Sequence, residues 1–153
     1  MKLLFVCHGN ICRSPMAEFY MKDLVKREGL ADRFHIASAA TSTEEIGNPV
    51  YPPARNELAR HGISCAGHAA RQLTRSDYAA FDLLIGMDSA NIRNMERICG
   101  GDPLDKIHRL LDYTFRPGDV ADPWYTGDFE ATWQDVSEGC QAILDRLQKE
   151  GLV

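Results

Sequence analysis

Long hydrophobic runs and an excess of positive charge are both absent from this sequence of 153 residues. Its apolar runs fall far short of the roughly 20 residues that a membrane-spanning helix needs. Its 17 lysines and arginines are outnumbered by 22 acidic residues, which gives a net charge of −5. Because nucleic-acid-binding surfaces are basic, we expect neither a nucleic acid nor a membrane among the partners of the protein.

Paired cysteines are also lacking. The five cysteines are Cys7, Cys12, Cys65, Cys99 and Cys140. Their odd number and the absence of a CxxC pair argue against a disulfide framework and a zinc site, and the histidines show no ligand spacing. We therefore predict no metal and no cofactor. Reduced thiols, and an N-terminal apolar run that is too short for a signal peptide, predict a cytoplasmic location.

The order of apolar runs and turn residues predicts an α/β fold in one domain, residues 1–153. A chain of this length buries roughly 70% of its unfolded surface, enough for a core without disulfides or metals. Strands are predicted at Leu3–Val6, Phe34–Ala37, Leu83–Met87 and Ile107–Leu111. Continuous apolar runs are typical of strands buried on both faces. We predict an open, parallel, four-stranded sheet with helices on both faces and a phosphate-binding loop after the first strand.

Helices are predicted between the strands from their caps and their periodic apolar residues. The first begins with Ser14 as its N-cap and Pro15 in its first turn, and it ends at Gly29. The other predicted helices run from Pro52 to Gly62, from the Thr74–Asp77 capping box, from Asp88 or Ser89 through Ile92, Met95 and Ile98, and from Phe129 to Leu147. The last has the clearest pattern, with apolar residues at spacings of three and four.

The loop after the first strand has the composition of an anion-binding site. Gly9 lets backbone N–H groups turn inward, and the N-terminus of the following helix adds positive potential. Arg13 supplies a planar guanidinium that matches two oxygens of inorganic phosphate or a similar oxyanion. The remaining residues of the predicted phosphate-binding loop are His8, Asn10, Ile11, Cys12 and Ser14.

Cys7 stands at the end of the first strand, where it faces the same positive surroundings. Most cysteines are small buried hydrophobic residues, and a cysteine at a strand end is usually structural when it stands alone. Cations and helix N-termini favour the thiolate form, which is the nucleophile. The combination of Cys7 with Arg13 therefore predicts covalent phosphoryl transfer to the sulfur, and Ser14 is placed to hydrogen-bond that sulfur.

The segment Val6–Pro15, V-C-H-G-N-I-C-R-S-P, resembles the loop of the low-molecular-weight protein tyrosine phosphatases. The resemblance covers essentially the whole chain and includes Ser38–Ser42, Ile46–Pro49, His61–Ile63, Ala70–Gln72, Gly86–Asp88 and Asp122–Tyr125. It implies hydrolysis of phosphotyrosine in proteins, or of small aryl phosphates, through a phosphocysteine on Cys7, with Arg13 as the phosphate clamp. We expect a monomer that self-associates at most weakly.

A carboxylic acid that protonates the leaving oxygen contributes roughly 10²–10⁴-fold to the rate of such a reaction. Asp102-Pro103 and Asp122-Pro123 are the two Asp-Pro pairs available. The resemblance assigns the general acid and base to Asp122, and we expect the aromatic rings of Trp124 and Tyr125 to form walls of the substrate pocket. Packing against the core is the alternative role for either ring.

The resemblance also implies supporting roles around the loop. It gives Asn10 an unusual backbone conformation that hydrogen bonds with Ser38 and His68 maintain. From the sequence alone, these two are an ordinary strand-end serine and a surface histidine. Cys12 is either the partner of Cys7 in a reversible disulfide or a small residue that fills the loop.

Two positions depart from the family pattern and leave the natural substrate open. His8 stands where eukaryotic members often carry leucine, and Glu44 occupies a pocket-wall position that is often aromatic. An acidic wall disfavours acidic peptides.

Two alternative functions remain open. One is a protein arginine phosphatase of the same fold, although the apolar Ile11 argues against it. The other is a phosphocysteine carrier that does not hydrolyse its adduct. An arsenate reductase with a cysteine relay is disfavoured because Cys99 has no cysteine at short spacing.

Overall fold

Four parallel strands form one central sheet with the spatial order β2-β1-β3-β4. The computed structural model describes residues 1–153 and contains the strands β1 (Lys2–Cys7), β2 (His35–Ala40), β3 (Leu83–Gly86) and β4 (Ile107–Arg109). Every neighbouring pair is parallel, so the predicted sheet is confirmed. Because β2 and β3 pair with opposite edges of β1, the topological switch point lies at the carboxyl end of β1.

The sheet has helices on both faces, as predicted, and the chain forms six helices in all, of which Pro123–Thr126 was not predicted from the sequence. They are α1 (Arg13–Arg27), α2 (Pro52–Arg60), α3 (Arg75–Ala80), α4 (Ser89–Cys99), α5 (Pro123–Thr126) and α6 (Phe129–Lys149). Two 3₁₀ turns, Ala31–Arg33 and Leu110–Tyr113, complete the regular structure. None of the helices has both the length and the apolar character needed to cross a membrane.

The strand β1 lies at the centre of the core because its side chains alternate between the two faces of the sheet. Leu3 and Phe5 pack with residues of α1 and α6, whereas Leu4 and Val6 pack on the other face with residues of α4. All four side chains are fully buried. Each contributes about 1.5–3 kcal/mol relative to an exposed position, which fixes the strand that ends in Cys7.

Several boundaries differ from the prediction. β2 begins one residue later and continues to Ala40, because backbone pairing with β1 extends to the end of that strand. β4 ends at Arg109, and Leu110 and Leu111 form a 3₁₀ turn that buries both side chains. A short apolar run indicates burial but does not distinguish a strand from a buried turn.

The prediction that Ser14 caps α1 is wrong. The helix begins at Arg13 and its N-cap residue is Cys12, without a side-chain capping bond. Ser14 therefore lies inside the first turn, with its hydroxyl directed at Cys7. The Ser14 side chain therefore contacts the Cys7 sulfur and does not cap the helix.

The other capping predictions are confirmed. Asp88 caps α4 by accepting a hydrogen bond from the N–H of Asn91, and the Thr74–Asp77 capping box opens α3. Gly29 and Gly62 follow α1 and α2 with positive φ values of 72° and 75°, a conformation that glycine adopts without steric cost. These caps set where the helices stop and where the functional loops begin.

Candidate active site

The loop between β1 and α1 forms the floor of a cleft at the switch point of the sheet. Three segments of the chain line the cleft, with the residues Cys7, His8, Gly9, Ile11, Cys12, Arg13, Glu44, Glu45, Asp122, Trp124 and Tyr125. The sequence singles out every one of these except Glu45. The structure thus brings together loop residues, an acidic residue and aromatic residues that are more than 100 positions apart in the chain.

The sulfur of Cys7 is held by two hydrogen-bond donors at the floor of the cleft. The backbone N–H of Asn10 lies 3.3 Å from Sγ, and the hydroxyl oxygen of Ser14 lies 3.1 Å from it. The Ser14 oxygen already accepts a hydrogen bond of 2.8 Å from the Asn10 side-chain amide. Its own proton can be donated to the sulfur or to the carbonyl oxygen of Ala39, 3.5 Å away. These two contacts fix the position of the sulfur at the floor of the cleft.

Asn10 holds the loop in shape from a left-handed backbone conformation, with φ of 59°. Asparagine tolerates this region better than most residues. Its side chain donates to Ser38 Oγ at 2.9 Å and accepts from the backbone N–H of Arg71 at 3.2 Å. Its carbonyl oxygen lies 2.8 Å from His68 Nε2, so that nitrogen carries the proton. Ser38 and His68 thus lie in the hydrogen-bond network that the resemblance implies.

Glu18 extends this network and is a residue that the sequence reasoning missed. Ser38 Oγ donates to Glu18 Oε1 at 2.6 Å, and the ammonium of Lys22 contacts the other carboxylate oxygen at 2.6 Å. Because a carboxylate only accepts, it fixes the Ser38 hydroxyl as a donor and leaves the Ser38 oxygen free to accept from Asn10. In the sequence, the signal for this role is that Glu18 stands next to Ala17 on the buried face of α1.

The guanidinium of Arg13 is almost completely buried beside the loop. Its Nη1 donates to Asp88 Oδ2 at 2.7 Å and to the carbonyl oxygen of Val120 at 2.9 Å, and its Nη2 lies 3.4 Å from Asp122 Oδ2. Burial alone would lower the pKa of Arg13, but Cys7 and the two carboxylates raise it. The guanidinium is therefore a permanent positive charge in a fixed orientation.

Asp122 uses its two carboxyl oxygens differently. Oδ1 accepts from the backbone N–H of Trp124 at 3.1 Å and caps α5, whereas Oδ2 faces Arg13 in the cleft. The rival candidate, Asp102, lies outside the cleft and accepts a 2.6 Å hydrogen bond from the hydroxyl of Tyr78. The structure thus places only one of the two Asp-Pro carboxyls in the cleft.

The lining of the cleft includes both aromatic and acidic side chains. Trp124 and Tyr125 are largely exposed, and the Trp124 ring packs against Tyr51 with centroids 4.9 Å apart. Glu44 Oε2 lies 3.0 Å from His8 Nε2. The lining thus offers ring surface and negative charge in one cleft.

The five cysteines differ in the state of their thiols, although all are buried and free. Burial raises the pKa of Cys12 to about 12. Burial also raises the pKa values of Cys65, Cys99 and Cys140. Only Cys7 combines an acceptor role towards two donors with a place in the cleft.

We expect iodoacetate to carboxymethylate Cys7 alone at pH 7, because alkylation requires a thiolate and the other thiols hold their protons. Mass spectrometry of the digested protein measures the labelled site. Inorganic phosphate should slow the labelling by occupying the cleft, and Cys7→Ser should abolish it. Labelling of Cys12 at neutral pH would contradict this expectation. Its labelling should begin only as the pH approaches the raised pKa.

Comparison with known proteins identifies the family to which this arrangement belongs. The family described as low molecular weight phosphotyrosine protein phosphatase matches residues 2–152. This chain belongs to that family. YfkJ of Bacillus subtilis, a low molecular weight protein-tyrosine-phosphatase, is 43% identical over 150 residues, which are 97% of this chain and 96% of YfkJ. The low molecular weight phosphotyrosine protein phosphatase of Rattus norvegicus is 40% identical over 94% of each chain.

Solved structures give the same family fold. The crystal structure of YfkJ matches with a TM-score of 0.94 and 42% identity over 98% of this chain and 96% of YfkJ. The crystal structure of a drosophila arginine phosphatase matches with a TM-score of 0.87 and 30% identity over 95% of this chain and 97% of that protein. The chain is therefore a hydrolase and a protein phosphatase of this fold. No three His, Cys, Asp or Glu side chains are grouped to hold a metal ion.

Proposed function

We propose that this phosphatase, as one domain spanning residues 1–153, hydrolyses phosphotyrosine in proteins in the cytoplasm through a phosphocysteine intermediate. The observation that carries the proposal is the placement of Cys7, Arg13 and Asp122 around one cleft that has an aromatic wall. Small aryl phosphates fit the same site, and inorganic phosphate is expected to bind as product. The mechanism uses groups of the protein itself, both side chains and loop N–H groups, and calls for no cofactor.

In the first step, the Cys7 sulfur attacks phosphorus and forms the S–P bond while the bond between phosphorus and the phenolic oxygen breaks. Asp122 gives its proton to the departing oxygen. Arg13 and the inward-facing N–H groups of the loop bind the three equatorial phosphoryl oxygens. The phenol leaves along the aromatic wall of the cleft.

In the second step, Asp122 is ionised and takes a proton from water as the water oxygen attacks phosphorus. The S–P bond breaks and the sulfur leaves as a thiolate. The hydroxyl of Ser14, 3.1 Å from Sγ, stabilises the charge that develops there. A carrier that keeps its phosphocysteine would need no such base, so the presence of Asp122 in the cleft supports hydrolysis.

Phosphotyrosine is favoured over phosphoarginine by the apolar and aromatic lining of the cleft. Ile11 contributes an apolar side chain at the floor, and Trp124 and Tyr125 offer ring surfaces. Relatives named for tyrosine phosphatase activity reach 44% identity to this chain, although one of known structure is only 29% identical, and the two arginine phosphatases are 30% and 29% identical. The carboxylates of Glu44 and Glu45 would attract the positive charge of a guanidinium, so phosphoarginine is the second candidate substrate.

Paired peptides that differ only in carrying phosphotyrosine or phosphoarginine test the substrate class. We expect kcat/KM to be at least about tenfold higher for the phosphotyrosine peptide, a difference of roughly 1.4 kcal/mol in transition-state binding. Phosphate release should continue for many equivalents per enzyme. Preference for phosphoarginine would move the function to that class, and a single equivalent trapped on Cys7 would make the protein a carrier.

A further inference from the structure

Asp122 lies on a connection that has almost no regular structure. Residues 114–122 join the 3₁₀ turn Leu110–Tyr113 to α5 without forming a helix or a strand. The backbone of Val120 ties the connection to the sheet, since its N–H donates to the Met87 carbonyl oxygen at 2.8 Å and its carbonyl accepts from Arg13. A general acid must be held to within a fraction of an ångström of its working position. Close to Asp122, the connection is thus held by Val120, whose side chain is also buried in the core, and at its far end Arg116 pairs with Glu138 of α6.

A second anchor lies three residues before Asp122. Asp119 Oδ1 accepts from the backbone N–H of Ser89 at 3.0 Å, from the Ser89 hydroxyl at 3.1 Å and from Arg109 Nη1 at 2.8 Å. The same Nη1 donates to Ser89 Oγ at 2.9 Å. These contacts form a closed triangle between the connection, the start of α4 and the end of β4. We call Ser89, Arg109 and Asp119 the anchor cluster.

The anchor cluster is tied directly to the phosphate clamp. Ser89 is the first residue of α4 and follows Asp88, the carboxylate that holds Arg13 at 2.7 Å. One helix start therefore positions the guanidinium through Asp88 and the acid-bearing connection through Ser89. We propose that the anchor cluster positions Asp122 relative to Arg13 and so sets the efficiency of leaving-group protonation. This inference rests on the proposed role of Asp122 as general acid.

The charge state of the cluster suits a fixed anchor. Partial burial alone would raise the pKa of Asp119, but the hydrogen bonds from Arg109 and Ser89 lower it. The carboxylate therefore stays ionised at every pH at which the reaction is measured. An isolated surface ion pair contributes little to stability, yet three donors that converge on one oxygen define its place. The cluster therefore acts by fixing the position of Asp119 and of the connection that carries it, rather than by adding stability.

The chain provides a matched control for the cluster. Asp112 also pairs with Arg109, through Nε at 3.0 Å and Nη2 at 2.9 Å, but it makes no contact with the connection that carries Asp122. Asp112 and Asp119 are both about half exposed. Removing one or the other takes the same charge from the same arginine, and only the Asp119 change releases the acid-bearing connection.

The test compares kcat/KM for phenyl phosphate and p-nitrophenyl phosphate, two aryl esters whose leaving groups differ in basicity. Phenolate is the poorer leaving group and depends more on the general acid. We expect Asp119→Ala to lower kcat/KM about 3- to 10-fold for phenyl phosphate and less than about 2-fold for p-nitrophenyl phosphate. Asp119→Asn, which keeps an acceptor oxygen, should recover part of the loss. Asp112→Ala should leave both values within about 2-fold.

Asp122→Asn is measured in parallel as the reference for lost acid catalysis. If it shows the leaving-group-dependent loss and Asp119→Ala lowers both substrates equally, the positioning role is wrong and the acid assignment stands. If Asp122→Asn shows no such dependence, the proposed acid itself is wrong. An equal loss in Asp112→Ala would also overturn the positioning role. Should Asp119→Ala fail to fold, Ser89→Ala removes one side of the triangle and is expected to show a smaller loss of the same pattern.

Discussion

Replacing Cys7 by serine is expected to lower the turnover of aryl phosphates by about 10⁴-fold or more. Serine has nearly the shape of cysteine and accepts the same hydrogen bonds from Asn10 and Ser14. Its hydroxyl is a far weaker nucleophile than a cysteine sulfur. The variant should thus keep the loop and lose the nucleophile.

Two measurements separate this outcome from a loss of folding. Initial rates with p-nitrophenyl phosphate report the nucleophile, and titration calorimetry with inorganic phosphate reports whether the loop still binds an oxyanion. Cys65→Ser is the matched control, because Cys65 is equally buried but lies outside the cleft; we expect its rate to stay within about twofold of wild type. Appreciable turnover by a Cys7→Ser protein that binds phosphate would rule out the covalent mechanism.

The parallel sheet and the loop could be predicted from the sequence because their signals are local. The run Leu3–Val6 is apolar on both faces, and the strand that it predicts ends at the loop residues. Gly9, Arg13 and Cys7 lie within seven consecutive positions, so their proximity needs no knowledge of the tertiary fold. The prediction that Ser14 caps α1 was wrong for the same reason. A capping rule uses only the local sequence, and it takes no account of the Cys7 sulfur 3.1 Å from the Ser14 hydroxyl.

The family resemblance implied supporting roles for Ser38 and His68, but other supporting residues could not be predicted because they act through tertiary contacts. Asp88 reads in the sequence as a helix cap, and it does cap α4, but its other oxygen binds Arg13, 75 residues earlier in the chain. Glu18 stands next to Ala17 on the buried face of α1, but the sequence does not show that Ser38 of β2 lies beside it. Asp119 carries no motif at all. Each of these side chains has an ordinary local role that hides a second one.

Replacing Asp122 by asparagine is expected to lower kcat/KM for a phosphotyrosine peptide by about 10²–10³-fold. Asparagine is as good an N-cap as aspartate, so the hydrogen bond with the Trp124 N–H that opens α5 should persist. The amide is far too weak an acid to protonate the phenolic oxygen. The loss should therefore be chemical, with the midpoint of urea unfolding close to that of wild type.

Asp128→Asn provides the matched control, because Asp128 caps the neighbouring helix α6 through the N–H of Ala131 and faces no part of the cleft. Its activity should stay within about twofold of wild type. Asp122 is also the proposed base in the second step, so Asp122→Asn should accumulate phosphate on Cys7, which acid quenching and mass spectrometry detect. A large loss without any phosphocysteine would mean that only the first step depends on Asp122. Unchanged rates would remove Asp122 from the mechanism and would leave Glu44 and Glu45 as the other carboxylates that line the cleft.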